Sequence, residues 1–197
     1  AGPSGITVAE RLASKGKKCL IIDRRDHIGG NCFDLYDQYG VMIHKYGPHY
    51  FRTNFKEVFD YLSNFTDWIY PFYQVKAYVN GRLYPFPINL DTLNQYFSLN
   101  LDEENMRKYI EQLCLQYKDK EIANSEDIVV SKVGLKIFND FYKNYTKKQW
   151  GIEPKGLDPS VCGRINIRFN KDPRYFDSKY QVYPKNGYTQ MFQKMLA

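Results

Sequence analysis

A chain of 197 residues, 43% of them hydrophobic, suits one domain or two small ones and can bury a core. Its 28 Lys and Arg against 22 Asp and Glu give a formal charge of +6, yet the cations are scattered singly or in pairs. That pattern describes a solvated surface rather than a nucleic-acid or membrane-binding stripe, and no apolar run approaches the ~20 residues of a membrane helix.

The chain opens on Ala1-Gly2-Pro3-Ser4-Gly5, which leads into the amphipathic pattern Ile6-Thr7-Val8-Ala9-Glu10-Arg11-Leu12 and predicts a helix. Gly2-x-x-Gly5 fits the last two glycines of G-x-G-x-x-G; the first glycine and the strand before it would lie ahead of Ala1. Residues 19–22, Cys-Leu-Ile-Ile, predict a short apolar strand ending at Asp23, with Gly29-Gly30 shortly after. An acid at that point of a dinucleotide fold accepts from ribose hydroxyls. The glycines let backbone pass close to a bulky group, since they lack a Cβ. Together these features predict a nucleotide-type cofactor site.

Residues 41–44 predict a short strand, followed by a loop fixed by Gly47-Pro48 and crowded with His44, His49, Tyr46, Tyr50 and Phe51. Asn54 is placed as the N-cap of a helix through Val58, Phe59, Tyr61 and Leu62. Asn80-Gly81 between residues 75–79 and 82–84 predicts a β-hairpin, closed by Pro85 and Pro87. From Asp91 to Trp150 the period becomes helical, with Met106, Tyr109, Ile110, Leu113, Cys114 and Tyr117 on one face. Val133, Ile137, Phe138 and Phe141 form another. Residues 151–163, with Pro154, Gly156 and Pro159, predict a loop with some freedom. The alternation over residues 164–169 predicts a half-exposed strand that puts Arg168 on the face of Arg164, in a surface role. A further strand follows at 179–184, and a helix begins at Gly187. The four cysteines form no C-x-x-C pair; free thiols at apolar positions fit a reducing, cytoplasmic compartment.

Four blocks now stand together: residues 23–31, Ile43-His44-Lys45-Tyr46-Gly47-Pro48-His49, Tyr145-Thr146-Lys147-Lys148-Gln149-Trp150-Gly151, and residues 164–169. In this order the chain resembles the UDP-galactopyranose mutase family. The resemblance runs from Gly2 to Leu196 and includes Gly187-Tyr188-Thr189. Amine oxidases share the Gly-Gly element but usually carry arginine where this chain has Asn31.

The resemblance implies an α/β fold: a Rossmann-like FAD-binding domain of the glutathione-reductase type, an inserted helical bundle and the start of an antiparallel substrate-side sheet. The implied division is residues 1–88, 89–155 and 156–197, the last opening with a mobile loop. It implies an isomerase that interconverts UDP-galactopyranose and UDP-galactofuranose through a covalent adduct with N5 of reduced FAD. The implied partners are a UDP-sugar and a second subunit in a homodimer, with no nucleic acid and no membrane. The family's later arginine and tyrosines would lie after Ala197, so these residues alone are expected to be inactive. Alternatives are a UDP-N-acetylgalactosamine mutase and an amine-oxidase-like flavoprotein.

Carried over by position, Gly2, Ser4 and Gly5 would face the FAD diphosphate, Asp23 and Arg24 the adenosine, and Gly30 with Asn31 the cofactor's middle. His49, Tyr50 and Phe51 would lie against the isoalloxazine, with His49 as one catalytic residue. Phe141 and Tyr145 match a uracil-stacking pair, although Phe141 equally fits the helical core stripe. Thr146 would be a polar contact, and Trp150 would lie near the sugar. Arg164 and Tyr175 match diphosphate contacts, with Arg164 catalytic because a guanidinium fork suits developing phosphate charge. No metal site is expected.

Overall fold

The computed structural model describes residues 1–164 and 166–197. It divides into two compact units, residues 1–72 with 176–197, and residues 73–175.

In the first unit, helix α1 (Pro3–Ala13) buries Ile6 and Ala9, the two positions that the amphipathic pattern turns inward. Its partner is α8 (Gly187–Leu196), which buries Tyr188, Met191, Phe192 and Met195. Strands β1 (Asp34–Tyr36) and β2 (Met42–His44) form an antiparallel pair. A second antiparallel sheet has the order β3 (Phe51–Thr53), β7 (Tyr180–Pro184), β4 (Trp68–Ile69). Helix α2 (Lys56–Ser63) begins one residue later than the sequence suggests. Its cap position is Phe55, and the Asn54 side chain instead accepts the Lys179 N–H at 2.8 Å.

The expected strand at residues 19–22 is not formed. A strand needs a ladder partner, and none pairs with it among the described residues, so Leu20 and Ile22 stand 85% and 79% exposed.

The second unit holds hairpin β5 (Val75–Val79) and β6 (Arg82–Phe86), turned by Asn80 and Gly81 at φ +48° and +80° as predicted. Helices α3 (Leu90–Phe97), α4 (Glu103–Cys114) and α5 (Ser125–Ile137) follow. They are capped by the side chains of Asn89, Asp102 and Asn124. The hairpin shares one apolar core with these helices: Val79, Tyr84 and Phe86 lie with Leu93, Met106, Ile110, Val133, Ile137 and Phe138. For that reason the division falls before the hairpin and not at residue 88. A π-helical turn, Phe138–Lys143, continues into α6 (Asn144–Trp150).

The predicted freedom of residues 151–163 is not what the structure has. Pro154 is fully buried, and α7 (Pro159–Gly163) packs on α5. Ser125 Oγ donates to the Asp158 carbonyl at 2.6 Å, and Lys132 Nζ donates to the Gly163 carbonyl at 2.7 Å. Nor is there a strand at 164–169: Arg164 caps α7, residues 166–168 have no regular structure, and Ile165 lies outside the described residues. Arg168 is not a surface residue. Its side chain is largely buried and pairs with Asp172 at 3.2 Å, while its backbone N–H bonds the Ile88 carbonyl.

Candidate functional site

In the first unit the pieces of the nucleotide fingerprint come together. Gly2 is the N-cap of α1 with no side-chain cap, and Pro3 has no N–H to offer, so the first-turn amides of Ser4 and Gly5 remain available for an anion. Gly30, at φ +56°, abuts Gly2: a Cβ there would stand 3.1 Å from the Gly2 Cα. The Gly29 N–H fixes this approach by donating to the Ala1 carbonyl at 2.8 Å. Asp23 is exposed and accepts the Arg25 backbone N–H at 3.0 Å. Arg24 is exposed, and Asn31 stands just beyond Gly30.

His49 precedes β3, and its Nε2 is buried with no hydrogen-bond partner among the described residues, the state of a donor or acceptor set aside for something else. That orphan nitrogen and the close glycine approach beside the uncapped start of α1 fit a dinucleotide with a ring system. Tyr50 has a structural task as well, since its hydroxyl donates to the Pro71 and Gln181 carbonyls at 3.2 Å. Phe51 stacks on Trp68 at 5.3 Å and belongs to this unit's core.

In the second unit the expected substrate residues differ sharply in exposure. Phe141 is 5% exposed and meets Tyr84 and Tyr96 edge-on at 5.7 and 5.1 Å. Tyr145 and Trp150, on α6, are 61% and 51% exposed. Thr146 is buried, with its hydroxyl 3.6 Å from the Cys162 thiol. Arg164 is exposed at the end of α7. Tyr175 lies partly buried against the core, 6.3 Å from Phe86. Beside it the Tyr142 phenol is wholly buried, and burial pushes it well above the usual phenol range.

The sequence reading missed two features. Arg25 and not Arg24 is the arginine held in place, donating from Nη2 to Asn31 Oδ1 at 3.0 Å with its guanidinium 4.6 Å over the Tyr46 ring. Asp34 is buried beneath the start of α8. Neither has a local signal, because both partners lie far along the chain or across a loop.

The fold and this cradle define an α/β protein with a dinucleotide-binding region, and residues 1–65 match the family model described as "NAD(P)-binding Rossmann-like domain". Residues 140–197 match the model described as "UDP-galactopyranose mutase". A probable UDP-galactopyranose mutase of Klebsiella pneumoniae is 41% identical, over 98% of this chain and 50% of that protein. A dTDP-fucopyranose mutase of Escherichia coli is 39% identical, over 99% and 52%. The UDP-galactopyranose mutase of Mycoplasma genitalium is 32% identical, over 100% and 50%. A crystal structure of reduced UDP-galactopyranose mutase superposes with a TM-score of 0.71 at 20% identity, covering 99% of this chain and 44% of that one. The chain belongs to the UDP-galactopyranose mutase family. It spans about half the length of the curated relatives it matches.

Proposed function

We propose that the protein carrying this chain is a flavin-dependent sugar-nucleotide mutase that interconverts UDP-galactopyranose and UDP-galactofuranose. The observation that carries the reading is one chain with a glycine-lined dinucleotide cradle in its first unit and exposed Tyr145, Trp150 and Arg164 in its second. Reduced FAD, when bound, would supply the nucleophile for the sugar's anomeric carbon. This chain's residues bind and orient. Gly2, Ser4 and Gly5 offer backbone N–H groups to the diphosphate, Asp23 accepts from ribose, and His49 faces the flavin. Tyr145 offers a ring face to the base, Trp150 lies by the sugar, and Arg164 stabilises the charge that develops as UDP departs. Thr146 and Tyr175 shape this region from partly or fully buried positions.

A second reading concerns the nucleotide. The Escherichia coli relative named dTDP-fucopyranose mutase is nearly as similar as the Klebsiella protein, so a thymidine-linked sugar is the alternative substrate. Free cysteines at all four positions suit a reducing, cytoplasmic setting, and a homodimer is the working assembly.

The test is turnover of UDP-galactofuranose and dTDP-fucofuranose by the intact gene product, with the flavin reduced or oxidised under nitrogen. The reading expects fast conversion only after reduction. Equal rates in both redox states would sink it.

A further inference from the structure

Helix α7 is five residues long, too short to be stable by itself, so its docking contacts decide where its end points. Three residues of α5, Ser125, Ile128 and Lys132, share one helical face at the spacing i, i+3, i+7 and receive it. Ser125 serves the start: its N–H donates to the Leu157 carbonyl at 2.9 Å, and its hydroxyl to the Asp158 carbonyl at 2.6 Å. Ile128 meets Gly163, where a Cβ would stand 3.2 Å from Ile128 Cγ1. Lys132 serves the other end, with Nζ donating to the Gly163 carbonyl at 2.7 Å.

That last bond differs from those of other lysines in the unit. Lys120, Lys136, Lys147 and Lys155 reach carboxylates. Lys132, half-buried, gives its ammonium to a main-chain oxygen and loses rotamer freedom in doing so. The last carbonyls of a helix have no partner within it, and a cation there also meets the negative end of the helix dipole. The Gly163 carbonyl and the Arg164 N–H share one planar peptide unit. Fixing the oxygen therefore fixes the direction in which Arg164 leaves α7, while its side chain stays exposed.

We propose that Lys132 is a positioning residue, which by holding the Gly163 carbonyl sets the Arg164 guanidinium for the diphosphate of the sugar nucleotide, an inference that rests on the reading of Arg164 above. A guanidinium fork is sensitive to direction, because two N–H groups must meet two phosphate oxygens together. A displacement of about 1 Å in such a group costs up to about a hundredfold in rate. Direct phosphate binding by Lys132 is the rival role, and a double-mutant cycle separates the two.

The experiment uses the intact gene product with reduced flavin and places Lys132→Met and Lys132→Arg in the wild-type and Arg164→Ala backgrounds. It reads kcat and KM for UDP-galactofuranose, calorimetric affinity for UDP and for uridine, and FAD content. Lys132→Met keeps the apolar stem and should lower kcat and UDP affinity about tenfold each. Uridine affinity and FAD content should hold, which also reports that the unit is folded. Lys132→Arg still reaches a carbonyl and should recover most of the loss. With Arg164→Ala already present, Lys132→Met should change nothing further, because the lysine acts only through the arginine. An equal loss in both backgrounds would overturn the inference, and so would wild-type kcat and UDP affinity in Lys132→Met. A matching loss of uridine binding would overturn it too, since the damage would not be directed at the diphosphate. Lys132-dependent UDP binding without turnover by the wild type would keep the inference and remove the mutase reading. A wild type that binds no UDP would overturn both.

Discussion

Asp34 and Thr189, 155 positions apart in sequence, hold each other by three hydrogen bonds. The Asp34 N–H donates to Thr189 Oγ1 at 3.0 Å, the Thr189 hydroxyl donates to the Asp34 carbonyl at 2.7 Å, and the Thr189 N–H donates to Asp34 Oδ1 at 2.8 Å. The other carboxylate oxygen takes the Tyr188 N–H at 2.6 Å. A strand residue that is 2% exposed therefore caps the helix that closes the first unit's core.

Removing the cap leaves two helix N–H groups buried and unmatched. Asp34→Ala should lower the unfolding free energy by about 2–4 kcal/mol, and Asp34→Asn, which keeps one acceptor, by about 1–2. Gly187→Ala should cost at least about 2 kcal/mol, because φ is +87° and the new Cβ would stand 2.8 Å from both carboxylate oxygens. Urea denaturation followed by circular dichroism measures all three, and an unchanged midpoint for Gly187→Ala would contradict this packing.

Gly134 plays the equivalent part in the second unit. It breaks the regular φ/ψ of α5 at φ +78° and ψ 163°, and a Cβ there would meet the Leu113 carbonyl oxygen at 2.9 Å. Gly134→Ala should destabilise by about 2–4 kcal/mol, from left-handed strain plus displacement of α4. The same denaturation experiment decides it, with a loss below about 1 kcal/mol showing that α4 can yield.

Local patterns were the legible ones. The Asn80-Gly81 hairpin and the apolar stripes of α4 and α5 appear as read, because each is set by neighbours within a few positions. The apolar run at 19–22 misled, since hydrophobicity marks what a strand would bury but not whether a partner pairs with it. Alternation likewise misplaced Arg168, whose Asp172 partner holds it in a partly buried ion pair. Glycine and proline in 151–163 suggested freedom, yet Ser125 and Lys132 supply the tethers from another helix, beyond the reach of composition. At the candidate site the glycines were readable from their spacing. The choice of Arg25 over Arg24 turned on which side chain the Asn31 and Tyr46 loop returns to.

Asp172 should make the second unit sensitive to acid. Hydrogen bonds from the Arg174 side chain, helped by its backbone N–H and the Arg168 charge, lower the carboxyl from 3.8 to about 2. A carboxyl depressed in the folded state adds stability that is complete above its unfolded pKa. That stability is lost as pH falls from about 4 through about 2. Asp172→Asn should flatten the stability profile in that window, as read by thermal melts across pH. A profile unchanged by the substitution would mean that the pairing is not coupled to folding.

Phe141 and Tyr145 separate structure from binding. Phe141→Ala opens a cavity between Tyr84 and Tyr96 and should cost about 3–5 kcal/mol of stability. Tyr145→Ala removes an exposed ring and should change stability by less than about 0.5 kcal/mol. In the intact protein it should also weaken UDP by about tenfold, if its ring stacks on the base. Calorimetry with UDP reads the second effect. Unaltered UDP affinity in Tyr145→Ala would remove the residue from the proposed site.

Arg164 is the last residue before Ile165 and stands at the C-terminal end of α7, so its reach depends on how firmly that helix is held. Asp158 caps the helix by accepting the Ser160 N–H at 2.8 Å, and the Ser125 and Lys132 bonds fasten it to α5. An exposed guanidinium on a docked helix loses little entropy in backbone placement when an anion arrives, which is the arrangement expected of a transition-state contact. In the intact enzyme Arg164→Ala should reduce kcat by on the order of 10²–10³. Arg164→Lys should recover only part of this, since the charge returns without the bidentate fork. FAD content should not change in either variant. A raised KM at wild-type kcat would make Arg164 a uniform binding contact instead. Loss of FAD would show that the segment after α7 supports the cofactor and not the departing nucleotide.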